Sequence, residues 1–372
     1  MARSAARIRS NDPAPARPRA IVRDFSRSGS SATPEVEFDV RTTYDFVFSL
    51  SEEAGSVDDL PAPDRAWLSE ARAALREEVG EAFDEYRMDL CVVMAGLAVD
   101  RPEVRDAAGF VALLSELDDD TVVRAVLADD LRDPARRAVT ERAFAGDDEA
   151  IRTLVADVAE GHGPEKQARF EAMVRHPSSA VGPARSVIAA WLPHFRPIEA
   201  RVAGMIRRDA DSRVGDLATL SATDLIERTT DGIRWLAEPG VRRVILAPSY
   251  FARPYNYVLG GFDWRLFGYP IGDDAVVDVD PLAPPPAVVR LHRALGDETR
   301  LRILRLLATR DHYLTEIATA LELSKPTIKH HLALMRAAGL VTLTEEGGLS
   351  YYSLRRGAIE ASGMGLSDYL RS

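Results

Sequence analysis

The chain has 372 residues, a formal net charge of −11 and 46% hydrophobic residues, which fits two or more globular domains with real cores. The single cysteine, Cys91, excludes an intrachain disulfide scaffold, and no apolar run approaches the roughly 18 residues that a membrane span requires. The arginine-rich N-terminus lacks the apolar core of a signal peptide. We therefore expect a cytoplasmic protein without a membrane partner.

The first two predicted regions are a tail and a helical domain. Residues 1–34 mix Arg, Ser, Ala and Pro without apolar periodicity, which predicts a disordered basic tail. Residues 35–277 are predicted to form a mostly helical sensor or oligomerisation domain. Residues 36–40 alternate as a short strand does, and apolar residues three to four apart then indicate helices. These helices are predicted over 64–79, 102–117, 119–131, 163–176 and 221–238.

The pattern changes to a small β segment near 241–270. Residues 241–250 and 262–271 are typical of strands, and a run rich in aromatic residues links them. Four rings of the aromatic-rich stretch 250–269 are candidates for an apolar effector pocket or a dimer surface. The alternative is that they pack the core, as most aromatic residues do. These candidate residues are Tyr250, Tyr255, Tyr257 and Trp264. Residues 278–287 are then predicted to be a proline-rich linker.

Residues 288–372 contain the most informative pattern in the chain. RALGDETRLRILRLL and LTEIATALELS predict two helices, and Ser324 is a favourable N-cap for a third that has Pro326 in its first turn. LVTLTEEGGLSYYSL predicts a hairpin. From residue 283 to 356 there are eleven basic and seven acidic residues, so this module is basic although the rest of the chain is acidic. Such a module is compatible with DNA binding.

The helix after Ser324 has two distinct faces. Its 3.6-residue period directs Ile328, Leu332 and Met335 toward a core, whereas the opposite side is free to meet phosphates and base edges in a DNA groove. Lysine suits a phosphate there, and a histidine ring nitrogen suits a purine edge. The predicted DNA-contacting residues are Lys325, Pro326, Thr327, Lys329, His330, Ala333 and Arg336.

The segments ALGDETRLRIL, LTEIATAL and SKPTIKHHLALMRAAGLV, followed by a hairpin ending in YYSL, resemble the ArsR (arsenic-repressor) family of bacterial winged-helix regulators. The resemblance covers roughly the last fifth of the chain. It implies a winged helix-turn-helix that binds a palindromic double-stranded DNA operator as a homodimer, usually to repress transcription. Because helices flanking the motif commonly pair in this family, dimerisation is expected through either the last helix (356–371) or the N-terminal domain.

Two departures from the family pattern carry information. The metal sensors of the family have paired cysteines in the first motif helix or Asp/His sets in the last helix, and both are missing here, so no metal or other cofactor is expected. The family often has an arginine at the wing turn, where this chain has Glu345-Glu346-Gly347-Gly348. An acidic tip repels phosphate, which predicts that the wing adds little DNA affinity or contacts protein instead.

Enzyme chemistry has no support in the sequence. His162, His176 and His194 are separated along the chain and match no Ser or Cys nucleophile motif, and no phosphate-binding or zinc-hydrolase motif occurs. Cys91 lies in an apolar run, which predicts a buried and inert thiol.

These patterns together predict a mainly α protein: a large helical N-terminal domain with a small β segment, followed by a C-terminal winged helix-turn-helix. The expected function is a dimeric transcriptional regulator, in most cases a repressor, whose N-terminal domain senses a small-molecule effector or a partner. The alternatives are a winged helix used as a protein-interaction module with little DNA affinity, and an enzyme in the N-terminal domain with the winged helix as a regulatory appendage.

Overall fold

The computed structural model describes residues 33–55, 59–128, 130–159, 164–276, 284–346, 349–357 and 366–371. The predictions of a basic tail, of the proline-rich linker, of the wing turn at Gly347-Gly348 and of the last helix therefore fall largely outside the described residues. The protein is mainly helical, with a small β segment in its N-terminal part and a winged helix-turn-helix at its C-terminal end, as the sequence patterns predict.

A four-stranded sheet organises the N-terminal part, called the body below (residues 33–276). Its strands are β1 (Glu35–Phe38), β3 (Arg243–Ser249), β4 (Tyr257–Gly260) and β5 (Trp264–Pro270), in the order β1-β3-β5-β4. β1, β3 and β5 are parallel, and β4 returns antiparallel to β5. The strands predicted near 36, 241 and 262 are present, and β4 is an additional strand in the segment expected only to link them.

Between β1 and β3, the described residues form ten α-helices. They are α1 (Thr42–Phe48), α2 (Ala62–Val79), α3 (Glu81–Asp89), α4 (Ala107–Glu116), α5 (Asp119–Val126), α6 (Pro134–Phe144), α7 (Asp148–Ala159), α8 (Pro164–Arg175), α9 (Ser178–Leu217) and α10 (Ala222–Thr229). Short 3₁₀ turns lie at Val92–Ala98, Asp130–Arg132 and Asp273–Ala275. Several helix starts follow from side-chain caps, since the carboxylates of Asp106 and Asp118 accept hydrogen bonds from backbone N–H groups of the first turn.

The longest helix was not predicted. α9 runs for 40 residues and contains Pro183, Pro193 and Pro197, residues that remove backbone donors and normally end a helix. Its buried side carries large apolar side chains such as Trp191 and Phe195, which pack with α1, α2, α3 and α4 in one hydrophobic core. Tertiary packing thus outweighs the local cost of three prolines.

The sheet has a core on each face, because successive residues of a strand point to opposite sides. On β3, Ile245 and Ala247 pack into the large core of the helical body, whereas Val244 and Leu246 pack into a smaller one with Trp235. This smaller core also contains Leu225 and Ile226 of α10, and the partly buried Leu343 packs against it.

The predicted helix over 221–238 is wrong in its second half. α10 ends at Thr229, Asp231 and Gly232 have φ of 54° and 110°, and Ile233–Trp235 then forms a strand, β2. Positive φ is incompatible with a continuing right-handed helix, and glycine adopts it without steric cost. Trp235 is a core residue of this strand.

The C-terminal module (residues 284–357) has the expected helix order. It consists of α11 (Pro286–Leu295), α12 (Glu298–Leu307), β6 (His312–Tyr313), α13 (Leu314–Leu321), α14 (Lys325–Ala337) and the wing strands β7 (Val341–Glu346) and β8 (Leu349–Leu354). Its own core joins Ile303, Ile317, Ile328 and Leu332. The second sheet has the order β2-β7-β8-β6, so a strand of the body extends the wing.

Candidate nucleic-acid interface

The N-terminal half of α14 carries the candidate DNA-contacting surface. Ser324 caps the helix by accepting a hydrogen bond from the Thr327 N–H at 3.2 Å, and its hydroxyl lies 2.7 Å from that of Thr327. Ile328, Leu332 and Met335 have no exposed surface and pack into the core of the module. The helical period therefore divides α14 as the sequence predicts.

The opposite side of α14 is open to solvent. Ala333 is half-buried on this side, and five side chains on the first two turns are exposed: Lys325, Pro326, Thr327, Lys329 and His330. The positive end of the helix dipole favours a phosphate here, and the two lysines add positive charge to the same surface. These residues are called the reading face below.

Arg336 does not belong to the reading face. The sequence placed it among the DNA-contacting residues, but only 4% of it is exposed, and its Nη1 donates a hydrogen bond of 2.7 Å to the backbone oxygen of Thr230 in the body. Burial lowers its pKa, against the opposing influence of Tyr352, Asp231 and Glu345. In this arrangement the guanidinium group cannot reach a phosphate.

The body also covers one edge of the reading face. The hydroxyl of Tyr255 lies 3.2 Å from Nδ1 of His330, and the two rings are 6.2 Å apart. Desolvation raises the pKa of the Glu53 carboxyl, while the positive charges of Lys329 and His330 nearby oppose that rise. Body residues thus lie directly beside His330 at one edge of the reading face.

The wing is paired with the body through its backbone. β2 and β7 run parallel, with Ile233 opposite Leu343. The Leu343 N–H donates to the Gly232 oxygen at 2.8 Å, and the Leu236 N–H donates to the Glu345 oxygen at 3.1 Å. A side chain at Gly232 would come within 3.3 Å of the Val341 oxygen, so this approach needs glycine.

An ion-pair cluster joins the first helix of the module to the body. Arg290 of α11 contacts Asp59 at 3.0 Å and Asp273 at 2.7 Å, and Arg253 contacts the same two carboxylates at 3.3 and 2.5 Å. Burial opposes the charge on Arg290, but its bonds with both carboxylates outweigh that effect and raise its pKa. The charges within the cluster cancel, because two guanidinium groups pair with two carboxylates.

The comparisons with known proteins bear on the C-terminal module. The family model described as "Bacterial regulatory protein, arsR family" matches residues 297–342. Similar relatives include the transcriptional repressor SdpR of Bacillus subtilis, 36% identical over 70 residues, which are 19% of this chain and 78% of the relative. The chain belongs to the arsR family. Its other relatives include the arsenical resistance operon repressor of Escherichia coli and the transcriptional activator HlyU of Vibrio cholerae.

The Escherichia coli protein is 39% identical over 67 residues, which are 18% of this chain and 57% of that relative. The Vibrio cholerae protein is 36% identical over 75 residues, which are 20% of this chain and 68% of that relative. No solved structure matches the chain significantly. This arsR-family protein therefore carries the DNA-binding module of transcription regulators. The matches account for about a fifth of the chain, at its C-terminal end.

The aromatic residues considered for an effector pocket lie in buried positions of the arsR-family protein. Tyr250, Tyr255, Tyr257 and Trp264 are at most 5% exposed. The Tyr250 hydroxyl donates to Asp64, the Tyr257 ring packs against Phe48 with ring centres 4.5 Å apart and planes tilted by 35°, and the Tyr255 hydroxyl faces His330. We therefore assign them packing and domain-contact roles.

Other candidate groups are dispersed. His176 is exposed on the body, His194 stacks on Trp191, and burial raises the pKa of the Cys91 thiol to about 12; His162 lies outside the described residues. In the described residues no cluster of three or more His, Cys, Asp or Glu side chains could hold a metal ion. Nor does this part of the chain contain a helix with the length and apolar character needed to cross a membrane.

Proposed function

We propose that this chain is a cytoplasmic transcriptional regulator that binds an inverted-repeat operator as a homodimer, with the N-terminal half of α14 in the major groove. Membership in the arsR family and the exposed Lys325, Thr327 and Lys329 at a capped helix start support the proposal. The observation that carries it is the two-sided α14 helix, since its polar side is not needed for packing and most of it is free for DNA.

The body is proposed to control access to this surface. Arg336, β7 and Arg290 hold the module against the body, and Tyr255 stands beside His330. A regulator in this arrangement reaches DNA with only part of its reading face. An effector or partner that weakens these contacts would shift the population toward a state with full DNA affinity. The size of this shift is set by how much more tightly the effector or partner binds that state than the closed one.

The test is fluorescence anisotropy of the full-length protein with DNA from its own promoter, and with a random duplex, across a salt series. We expect specific binding, and Lys329→Ala should lower the slope of log affinity against log salt by about 0.9, the value for one phosphate contact. Lys166→Ala is the matched control, because it removes an exposed lysine from the body. An unchanged slope in Lys329→Ala would show that α14 does not meet DNA in this way.

The pairing of β2 with β7 favours a second candidate, in which the winged helix is a protein-interaction module. Here the wing already binds a strand, and its acidic Glu345 lies near Arg265 of the body, where burial raises its pKa. This candidate predicts that promoter DNA and a random duplex bind equally weakly. The same should hold for a variant such as Arg336→Met, which loosens the module from the body.

A further inference from the structure

An arginine-lined cleft in the body has the features of an anion site. It has a volume of about 570 Å³ and lies between α2, α3 and residues 49–55. Arg65, Arg72, Arg76 and Arg87 line it, and the carboxylates along its wall are those of Glu52 and Glu77. Arginine is the residue best suited to bind a carboxylate, because its planar fork matches the two oxygens.

Arg72 carries a buried charge that no carboxylate neutralises among the described residues. Its guanidinium donates hydrogen bonds to the backbone oxygens of Ser49, Ser51 and Ala54, with that to Ala54 measuring 3.0 Å. All these acceptors are neutral, and burial lowers the pKa of Arg72 to about 10. A negative charge in the cleft would offset this desolvation.

The guanidinium group of Arg87 has only part of its hydrogen-bonding capacity filled. Its Nη2 pairs with Glu52, whose side chain is 78% exposed, and its buried Nε has no hydrogen-bond partner in the structure. Burial lowers the pKa of Arg87 as well. An exposed glutamate is easily exchanged for another carboxylate, because surface ion pairs contribute little.

The cleft also offers apolar surface. Ala54, Leu68 and Phe83 line it, and the guanidinium carbons of Arg76 and Arg87 lie 5.6 and 5.2 Å from the centre of the Phe83 ring. We propose that the cleft binds a small organic carboxylate with an apolar body, which replaces Glu52 at Arg87.

The same site is connected to the reading face through residues 49–55. Glu52, Ala54 and Gly55 face the cleft, and Glu53 lies near Lys329 and His330 of α14. A carboxylate that displaces Glu52 would reposition this segment, and with it Glu53. The regulatory part of the inference rests on the proposed function, whereas the binding site does not.

Isothermal titration calorimetry of the full-length protein without DNA tests the site. The probes are phenylacetate and 1-naphthoate, each beside its neutral amide, with phenyl phosphate as a further anion. We expect at least one carboxylate to bind tenfold or more tightly than its amide. Arg87→Gln should weaken this binding about tenfold, whereas Glu52→Gln should tighten it, because the competing carboxylate is gone. Arg228→Gln, which removes an exposed arginine of α10, is the control and should bind as the unchanged protein does.

Opposite effects of two substitutions at one ion pair cannot both arise from misfolding. Binding of neither carboxylate, equal binding of the amides, or unchanged affinity in Arg87→Gln would overturn the inference. Tighter binding of phenyl phosphate than of both carboxylates would overturn the assignment to carboxylates.

Anisotropy with promoter DNA and saturating carboxylate then tests the link to α14. A change in DNA affinity that Arg87→Gln abolishes would support it. Calorimetric binding without any such change would leave the site in place and overturn the coupling. Failure of all DNA binding would contradict the proposed function, while the calorimetric result would still decide the site.

Discussion

Arg336 and Thr230 are 106 residues apart in the chain, and a hydrogen bond of 2.7 Å joins the guanidinium group of one to the backbone oxygen of the other. The bond ties the last turns of α14 to the body directly beside the pairing of β2 with β7. The helix that presents the reading face is therefore held by the domain proposed to control it.

Arg336→Met should loosen this attachment. Loss of this buried hydrogen bond should weaken the attachment by about 0.5–1.5 kcal/mol. The Thr230 oxygen keeps its hydrogen bond from Asn256, so it is not left without a donor. Hydrogen exchange of the amides in β2 and β7 should accelerate about three- to tenfold. Arg356→Met is the matched control, because Arg356 also donates at 2.7 Å to a backbone oxygen, that of Ala308 within the module. Equal exchange rates in both variants would contradict the attachment.

Tyr255→Phe should increase operator affinity. The change removes the hydroxyl that lies 3.2 Å from Nδ1 of His330 and so frees this residue of the reading face. Loss of one hydrogen bond of about 1 kcal/mol shifts a docking equilibrium by roughly fivefold. Anisotropy with promoter DNA measures the gain, and Tyr351→Phe in β8 serves as the control. Weaker binding in Tyr255→Phe would indicate that Tyr255 supports the DNA-bound state.

The ion pairs between module and body should couple Arg290 to Asp273. In a double-mutant cycle with Arg290→Gln and Asp273→Asn, we expect a coupling of about 1–3 kcal/mol in the free energy of unfolding, since both groups are mostly buried. The same cycle with Arg310→Gln and Glu316→Gln, an exposed pair at 3.0 Å, should give less than about 1 kcal/mol. A coupling near zero for the first pair would show that Arg253 replaces Arg290 fully.

Asp45 should make the protein less stable as pH rises. Its carboxyl is completely buried, and burial raises its pKa to about 7, against hydrogen bonds from Phe251 N–H, Ser249 and Tyr250 N–H that lower it. The folded state binds the proton more tightly than the unfolded state, so the contribution of Asp45 is fully present below about pH 4 and is lost as pH rises through about 7. The loss approaches about 4 kcal/mol, at roughly 1.4 kcal/mol per tenfold change in proton affinity.

Urea unfolding between pH 4 and 8.5 measures this effect. Asp45→Asn should remove that part of the pH dependence and gain stability relative to the unchanged protein as pH rises. Asp118→Asn provides a comparison of opposite sign: hydrogen bonds from Thr121 lower the pKa of Asp118, so its contribution is lost as pH falls. Parallel pH curves for Asp45→Asn and the unchanged protein would contradict the assignment.

Local signals in the chain were sufficient for the module. Ser324 before Pro326 predicts the start of α14, and the spacing of Ile328, Leu332 and Met335 predicts its buried side, because caps and periodicity act within a few residues. The same signals failed for α9, whose prolines suggest breaks that packing overrides, and for the segment after Thr229, where Asp231 and Gly232 turn the chain into β2. The glycine was a usable sign of that turn.

The sequence by itself determined the class of the C-terminal module, the capped start of α14 and the division of α14 into a buried and an exposed side. Each of these depends on residues that are close together in the chain. Only the tertiary structure decided that Arg336 points into the body, that β7 pairs with β2 and that arginines of α2 and α3 share a cleft. These relationships join residues far apart in the chain. Backbone hydrogen bonds at a strand edge require no specific side chains. The hydrophobic periodicity of a strand therefore does not predict which other strand pairs with its edge.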